Sequence, residues 1–196
     1  MPARVAALFV EAGGCYSNLP HVDAWDRQRD ARLYTGPWPV VAHPPCERWH
    51  QLSAVNHKRW GYVIDADSGC FVSALASVRR FGGVLEHPAE SRAFKHHGIP
   101  EPVAGEWQST IDGDWVVEVW QSAFGHRARK RTWLLYHGAS LPPAIEWKRV
   151  PGLMQIGFFD RRLHQLPKRE TAATPEPFRD LLLSIAASAM PMRDAA

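Results

Sequence analysis

The stretch PVVAHPPCERWHQLS, residues 39–53, closes an apolar run with two prolines and a cysteine. Each proline fixes its own φ and removes a backbone donor, so the strand predicted for WPVVAH ends at Pro44 and Pro45. A turn stiffened in this way holds the next side chain, Cys46, in one place at the end of the strand. A nucleophile or a metal ligand needs such a position, and the rest of the chain has to distinguish between them.

Strand and helix patterns alternate outward from this turn. Strands are predicted for RVAALFVE, HVDAWD, WPVVAH, GGVLEHP, WVVEVWQSAFG and RTWLLYHG. Helices are predicted at residues 66–80, capped by Asp67 or Ser68, and at 178–190. This alternation predicts one α/β domain over residues 1–196, with a mostly parallel sheet and an irregular proline-rich segment at 138–177.

Candidate functional residues follow three of the predicted strands. Gly13 and Gly14 follow the first strand, Cys46 follows WPVVAH, and Glu86 lies near the end of GGVLEHP. The carboxyl ends of parallel strands lie at one edge of a sheet, and ligands bind there in open α/β folds. We therefore expect these residues to converge on one crevice.

The cysteine content and the N-terminal sequence argue against a disulfide-stabilised secreted protein and against a membrane protein. Three cysteines without paired spacing predict no disulfide framework, and the apolar run near the N-terminus is too short for a signal peptide or a membrane span. We therefore expect a cytoplasmic protein without a membrane partner. The formal net charge of +3 permits an anionic partner without requiring one, and the nine tryptophans offer both core residues and stacking surfaces.

Four segments, in order, resemble motifs of the DNA cytosine-5 methyltransferase family. ALFVEAGG is similar to the glycine-rich opening motif, and HPPCERWHQLS is similar to the loop that carries the nucleophilic cysteine. GGVLEHP resembles the strand with the catalytic glutamate, and FGHRARKRTWLLYHG resembles the arginine segment and the strand after it. The resemblance implies a Rossmann-like sheet of a truncated class I methyltransferase type, without a target-recognition domain.

The resemblance also implies catalytic roles. Cys46 would add to C6 of cytosine and make C5 nucleophilic, provided that nearby arginines favour the thiolate. Glu86, held neutral by burial, would protonate or hydrogen-bond N3. Arg129 and Arg131 would bind the pyrimidine carbonyl or a flanking phosphate.

The cofactor implied by the resemblance is S-adenosylmethionine. Phe9, Gly13, Gly14, Asp26 and Pro44 would border it, with Asp26 on the ribose hydroxyls. The chain departs from the family pattern here, because Glu11 occupies the place of a turn glycine and only about 30 residues separate Gly14 from the proline pair. The expected partner is DNA or a pyrimidine nucleotide, and DNA affinity should be mainly electrostatic.

Two other interpretations remain open from the residues themselves. His43, Cys46, His50 and His57 could bind zinc, although no second ligand pair of standard spacing is present. A sheet that has lost its recognition domain and part of its cofactor pocket could also serve as a non-enzymatic module that binds nucleic acid or a partner, a reduced form that would suit a phage. A lone cysteine at a strand end is also often only a small buried hydrophobic residue.

Overall fold

The computed structural model describes residues 4–49, 61, 63, 66–156 and 162–189. Within these ranges the chain forms one sheet of seven strands. The strands are β1 Val5–Leu8, β2 Val22–Trp25, β3 Val40–Ala42, β4 Gly83–Pro88, β5 Gln108–Ser109, β6 Trp115–Trp120 and β7 Arg131–His137. The helices are α1 Cys70–Phe81, α2 Arg92–His96, α3 Lys168–Ala172 and α4 Glu176–Ser188, with 3-10 turns at Ala31–Leu33 and Gln121–Phe124.

The sheet is mixed, with the strand order β2-β1-β3-β4-β7-β6-β5. The four strands that the chain forms first, β1 to β4, pair in parallel, whereas β7 and β6 pair antiparallel with their neighbours. The prediction of a mostly parallel sheet is thus confirmed for the first half only. Residues 121–130 alone separate β6 from β7, and a parallel crossover needs a connection of about a dozen residues or more.

The two predicted helices form with shifted boundaries. The helix predicted from residue 66 begins at Cys70, because the Asp67 carboxylate accepts hydrogen bonds from the backbone nitrogens of Gly69 and Phe71. The C-terminal helix begins earlier than predicted, at Glu176, directly after Pro175. Both α3 and the start of α4 therefore lie inside the segment 138–177 that was predicted to be irregular. Along the described ranges, no helix combines the length and apolar composition that a bilayer crossing requires.

A glycine is required where β4 begins beside β3. A Cβ atom at Gly83 would lie 2.0 Å from the carbonyl oxygen of Val40, and φ at Gly83 is +130°. Only glycine fits this close approach at a positive φ. The resulting register pairs Val40 with Gly83 and Ala42 with Leu85, which places Glu86 beside the turn that follows β3.

The β4 strand separates two apolar clusters. Leu85 belongs to the cluster that contains Phe71 of α1, and Val84 belongs to the cluster that contains Leu182 of α4. We call the two sides of the sheet the α1 face and the α4 face. Because side chains alternate along a strand, Glu86 lies on the α4 face and His87 on the α1 face.

Candidate active site

The carboxyl ends of β1, β3 and β4 lie side by side at one edge of the sheet, since these strands are parallel neighbours. The chain passes from β1 to β2 on one side and then to β3 on the other, which creates a switch point between β1 and β3. The backbone nitrogen of His43 donates to the carbonyl of Leu8 at 3.0 Å, so the turn after β3 is fixed to the end of β1.

A chain of polar side chains crosses this edge on the α4 face. The Nδ1 of His43 lies 3.0 Å from Oε2 of Glu86, and its Nε2 lies 2.9 Å from the hydroxyl of Tyr16. On the other side, Nε2 of Gln121 donates to Oε1 of Glu86 at 3.1 Å and to the hydroxyl of Thr132 at 3.0 Å. Both carboxylate oxygens of Glu86 therefore accept hydrogen bonds in a buried setting. We call these five residues the Glu86 network.

The Glu86 carboxyl is ionised within this network. Burial raises its pKa, but the hydrogen bond from His43 and the charges of His43 and Lys130 outweigh burial and lower the pKa to about 2. The expectation of a carboxyl held neutral by burial is therefore corrected. A buried carboxylate stays charged where hydrogen-bond donors and cations surround it, and the sequence motif did not reveal those partners.

Cys46 lies in the electrostatic field of the same residues. Burial raises the pKa of its thiol, the charge of Glu86 raises it further, and the charge of Lys130 lowers it. The thiol is thus protonated at neutral pH. The cation that favours the thiolate is Lys130, where the sequence led us to expect arginines.

Arg131 lies away from Glu86, on the α1 face. Its guanidinium donates two hydrogen bonds to the Glu118 carboxylate, at 2.9 and 2.8 Å, and a third to Glu90 at 2.5 Å. Trp133, the next residue on this side of β7, also donates to Glu118. Since consecutive residues of β7 point to opposite faces, the predicted grouping of Arg131 with Glu86 in one pocket does not occur.

Arg129 also takes a position that the motif did not indicate. Its guanidinium carbon lies 5.2 Å from the centre of the Trp120 ring, in the connection between β6 and β7. Trp120 pairs with Arg131 and its Nε1 donates to Glu118, so the ring that Arg129 contacts belongs with the α1-face residues and not with the Glu86 network.

A cleft of about 910 Å³ runs beside the edge, along the turn after β1. Of the five predicted cofactor residues, Gly13 and Gly14 line this cleft. Phe9 packs against the cluster on the α1 face, and Asp26 uses its carboxylate to accept from the backbone nitrogens of Gln28 and Arg29.

The cleft-lining residues in the described ranges do not include Phe9, Asp26 or the buried Pro44. Two consecutive residues connect the cleft with the Glu86 network. Cys15 lines the cleft, and Tyr16 contacts His43.

The zinc interpretation gains no support from the described ranges. No group of three or more histidine, cysteine or acidic side chains with metal-binding geometry occurs in them. His43 is engaged by Tyr16 and Glu86 through both ring nitrogens. His50 and His57 lie outside the described residues.

Sequence reasoning missed several members of the site. The sequence patterns indicate His43 only as a metal ligand and do not indicate Tyr16, Gln121 or Lys130. Gln121 carried a usable signal, because it follows the strand WVVEVW directly and so belongs to the same edge as the carboxyl end of β4. Tyr16 carried none, since only the folded loop after β1 brings it to His43.

Comparison of the chain with family models, with curated proteins and with solved structures found no match.

Proposed function

We propose that the protein is a pyrimidine-modifying transferase in which Cys46 adds to C6 of cytosine and the Glu86 network holds the ring at N3. The observation that carries this proposal is the buried, doubly hydrogen-bonded Glu86 at the carboxyl edge of parallel strands, whose charge acts on the Cys46 thiol. The proposed chemistry requires that one base reach both groups at once.

The fold type that best suits this chemistry is a Rossmann-like sheet of a truncated class I methyltransferase type. The parallel first half of the sheet, the switch point between β1 and β3, and the Gly13–Gly14 turn after β1 support this assignment. The three cysteines are free, which suits a reducing cytoplasm.

The resting charges suggest how the thiol is activated. Glu86 is ionised and the Cys46 thiol is protonated, so the proton needed at N3 is already present on sulfur. Sγ forms a bond to C6, the ring electrons shift toward N3, and the thiol proton is transferred to N3, where Glu86 holds it. Cys46 and hydrogen thus add across the ring without any net change of charge, and the reverse step restores the aromatic base.

The network also favours cytosine over uracil or thymine. The Oε1 of Gln121 is buried and has no hydrogen-bond partner among the described residues. A base that reaches the network would meet this oxygen and the Glu86 carboxylate, two acceptors that suit the exocyclic amino group of cytosine. A uracil or thymine carbonyl in that place would oppose an ionised carboxylate.

The residues of the cleft fit S-adenosylmethionine in part. A volume of about 910 Å³ lies within the range of small-molecule sites, and Gly13 has no atom within 4 Å of a Cβ position, so a ligand could approach its backbone. Glu11 and Glu176 line the cleft together with Arg169 and Arg179, so a sulfonium and a carboxylate would each find groups of opposite charge there. When bound, this cofactor would supply an electrophilic methyl group. Asp26 does not line the cleft, and we assign it no ribose contact.

Deuterium exchange at C5 tests the chemistry without assuming a donor, because addition at C6 lets C5 take up a solvent proton. The protein is incubated in D2O with a cytosine-containing oligonucleotide or with deoxycytidine monophosphate, and the base is analysed by mass spectrometry. Wild type and Cys70→Ser should exchange, whereas Cys46→Ser should not. Absence of exchange on both substrates, or exchange by Cys46→Ser, would overturn the proposal. Addition of S-adenosylmethionine then tests the donor, through a mass gain of one methyl group.

A further inference from the structure

Two exposed arginines lie on the same indole ring, that of Trp120. The guanidinium carbons of Arg129 and Arg149 are 5.2 and 5.7 Å from the ring centre. Neither arginine forms an ion pair with any residue in the described ranges. Arg127 and Arg131, on either side of Arg129 in the sequence, are by contrast paired with acidic side chains.

The structure holds Arg149 at this place although it belongs to an irregular segment. The Ser122 hydroxyl donates to the carbonyl of Val150 at 2.6 Å, and the backbone nitrogen of Met154 donates to the carbonyl of Arg127 at 3.1 Å. At Gly152, a Cβ atom would lie 2.3 Å from the backbone nitrogen of Arg129. The segment around Arg149 therefore packs against the connection that carries Arg129. Tertiary packing, and not proximity in the sequence, brings the two guanidinium groups to one ring.

We propose that Arg129 and Arg149, held on Trp120, form a binding site for the phosphodiester backbone of a single-stranded nucleic acid. Two positive charges on one ring repel each other, and an anion bound at that ring lowers the repulsion. Guanidinium groups bind phosphate oxygens through two parallel hydrogen bonds, and stacking on an aromatic ring orients them for this. Trp147, with its ring centre 6.2 Å from that of Trp120, adds an aromatic surface against which a base can pack.

The aromatic rings beside the arginine pair favour a nucleic acid over an acidic peptide, because bases stack on such rings and acidic side chains do not. Trp120 pairs with Arg131 across the sheet and donates to Glu118, so the arginine pair lies on a different surface from the Glu86 network. This inference rests on the proposed function, which requires a base that is out of a duplex stack, and a single strand supplies such a base at the lowest cost.

Fluorescence anisotropy with a labelled single-stranded oligonucleotide tests the site, in a Cys46→Ser background so that no chemistry contributes. The double variant Arg129→Ala/Arg149→Ala should bind roughly tenfold or more weakly. Its salt dependence, as the slope of log K against log salt, should be shallower by about 1.4, the value for two lost contacts to a single strand.

The matched control is Arg4→Ala/Arg80→Ala. These arginines are also exposed and lie over aromatic rings, Trp38 and Phe81, but next to the amino ends of β1 and β4. The control removes the same charge and should leave affinity and salt slope unchanged. Equal weakening by both double variants would show a general charge effect and would overturn the site.

Two competitors complete the test. Duplex DNA of the same sequence should compete less well than the single strand, and oligoglutamate should not compete. If oligoglutamate displaces the oligonucleotide equally well, the partner is an acidic polymer and the inference is wrong. Arginine-dependent binding without C5 exchange would support the binding site and contradict the proposed chemistry. Exchange together with unchanged binding by Arg129→Ala/Arg149→Ala would support the chemistry and contradict the binding site.

Discussion

Glu86 and His87 are neighbours in β4, yet their buried side chains differ in charge and in hydrogen bonding. Glu86, on the α4 face, accepts hydrogen bonds from His43 and Gln121 and is charged. His87, on the α1 face, packs edge-on against Phe71, and neither ring nitrogen makes a hydrogen bond of good geometry to a described residue. Burial lowers the pKa of His87 to about 4, although the charge of Glu86 and the Pro45 backbone oppose this shift. Burial alone therefore does not decide ionisation; the partners do.

The contrast also separates a hydrogen-bonded polar group from an aromatic cluster at this edge. The α4 face carries a continuous hydrogen-bond chain from Tyr16 to Thr132. On the α1 face, His87 contributes to an aromatic layer that includes Phe71 and Trp133. The glutamate motif GGVLEHP thus combines two different environments within consecutive residues.

The largest expected effect is that of Glu86→Ala on stability. His43 and Gln121 lose their acceptor, and each hydrogen bond lost to a buried charged group costs about 1.5–3 kcal/mol. Urea unfolding at pH 7 measures the loss. Glu101→Ala, at an exposed carboxylate, should change the free energy of unfolding by less than about 0.5 kcal/mol. Equal effects of the two variants would show that the Glu86 network does not contribute to the stability of the fold.

A smaller effect is expected from the acid sensitivity of His87. Its pKa falls from 6.5 in the unfolded chain to about 4 in the fold, so its contribution to stability is complete above pH 6.5 and is lost as the pH falls toward 4. Between pH 7 and pH 5, wild type should lose on the order of 2 kcal/mol relative to His87→Leu. Urea unfolding at both pH values gives this difference. His164→Leu, at an exposed histidine, should follow wild type, and a His87→Leu curve parallel to wild type would contradict the neutral, buried state.

The smallest expected effect concerns the thiol of Cys46. Glu86 raises its pKa and Lys130 lowers it, so the two substitutions Glu86→Gln and Lys130→Ala should change its reactivity in opposite directions. In a Cys15→Ser/Cys70→Ser background, iodoacetamide should alkylate Glu86→Gln severalfold faster and Lys130→Ala severalfold slower than the parent. Arg80→Ala serves as the control and should match the parent. A change of the same sign in both variants would show that the thiol does not sense these charges.

Local signals in the sequence predicted the main strands and the two long helices, because apolar periodicity, glycine pairs and prolines act within a few residues. The turn of Pro44 and Pro45 and the strand that carries Glu86 were predicted in this way. The antiparallel half of the sheet was not, since strand direction depends on which strands pair. Glu86 and Arg131 lie on opposite faces because of that pairing. A sequence motif does not specify which strands pair, so it could not predict this arrangement.

The sequence by itself determined which residues could do chemistry and which of them end a strand. Only the tertiary structure decided which of them meet. Tyr16, His43, Glu86 and Gln121 come from four separate segments, and their protonation states depend on distances between atoms that the chain order does not encode. The physical reason is that hydrogen bonds and charges act through space over a few ångströms, whereas the signals in a sequence act along the chain.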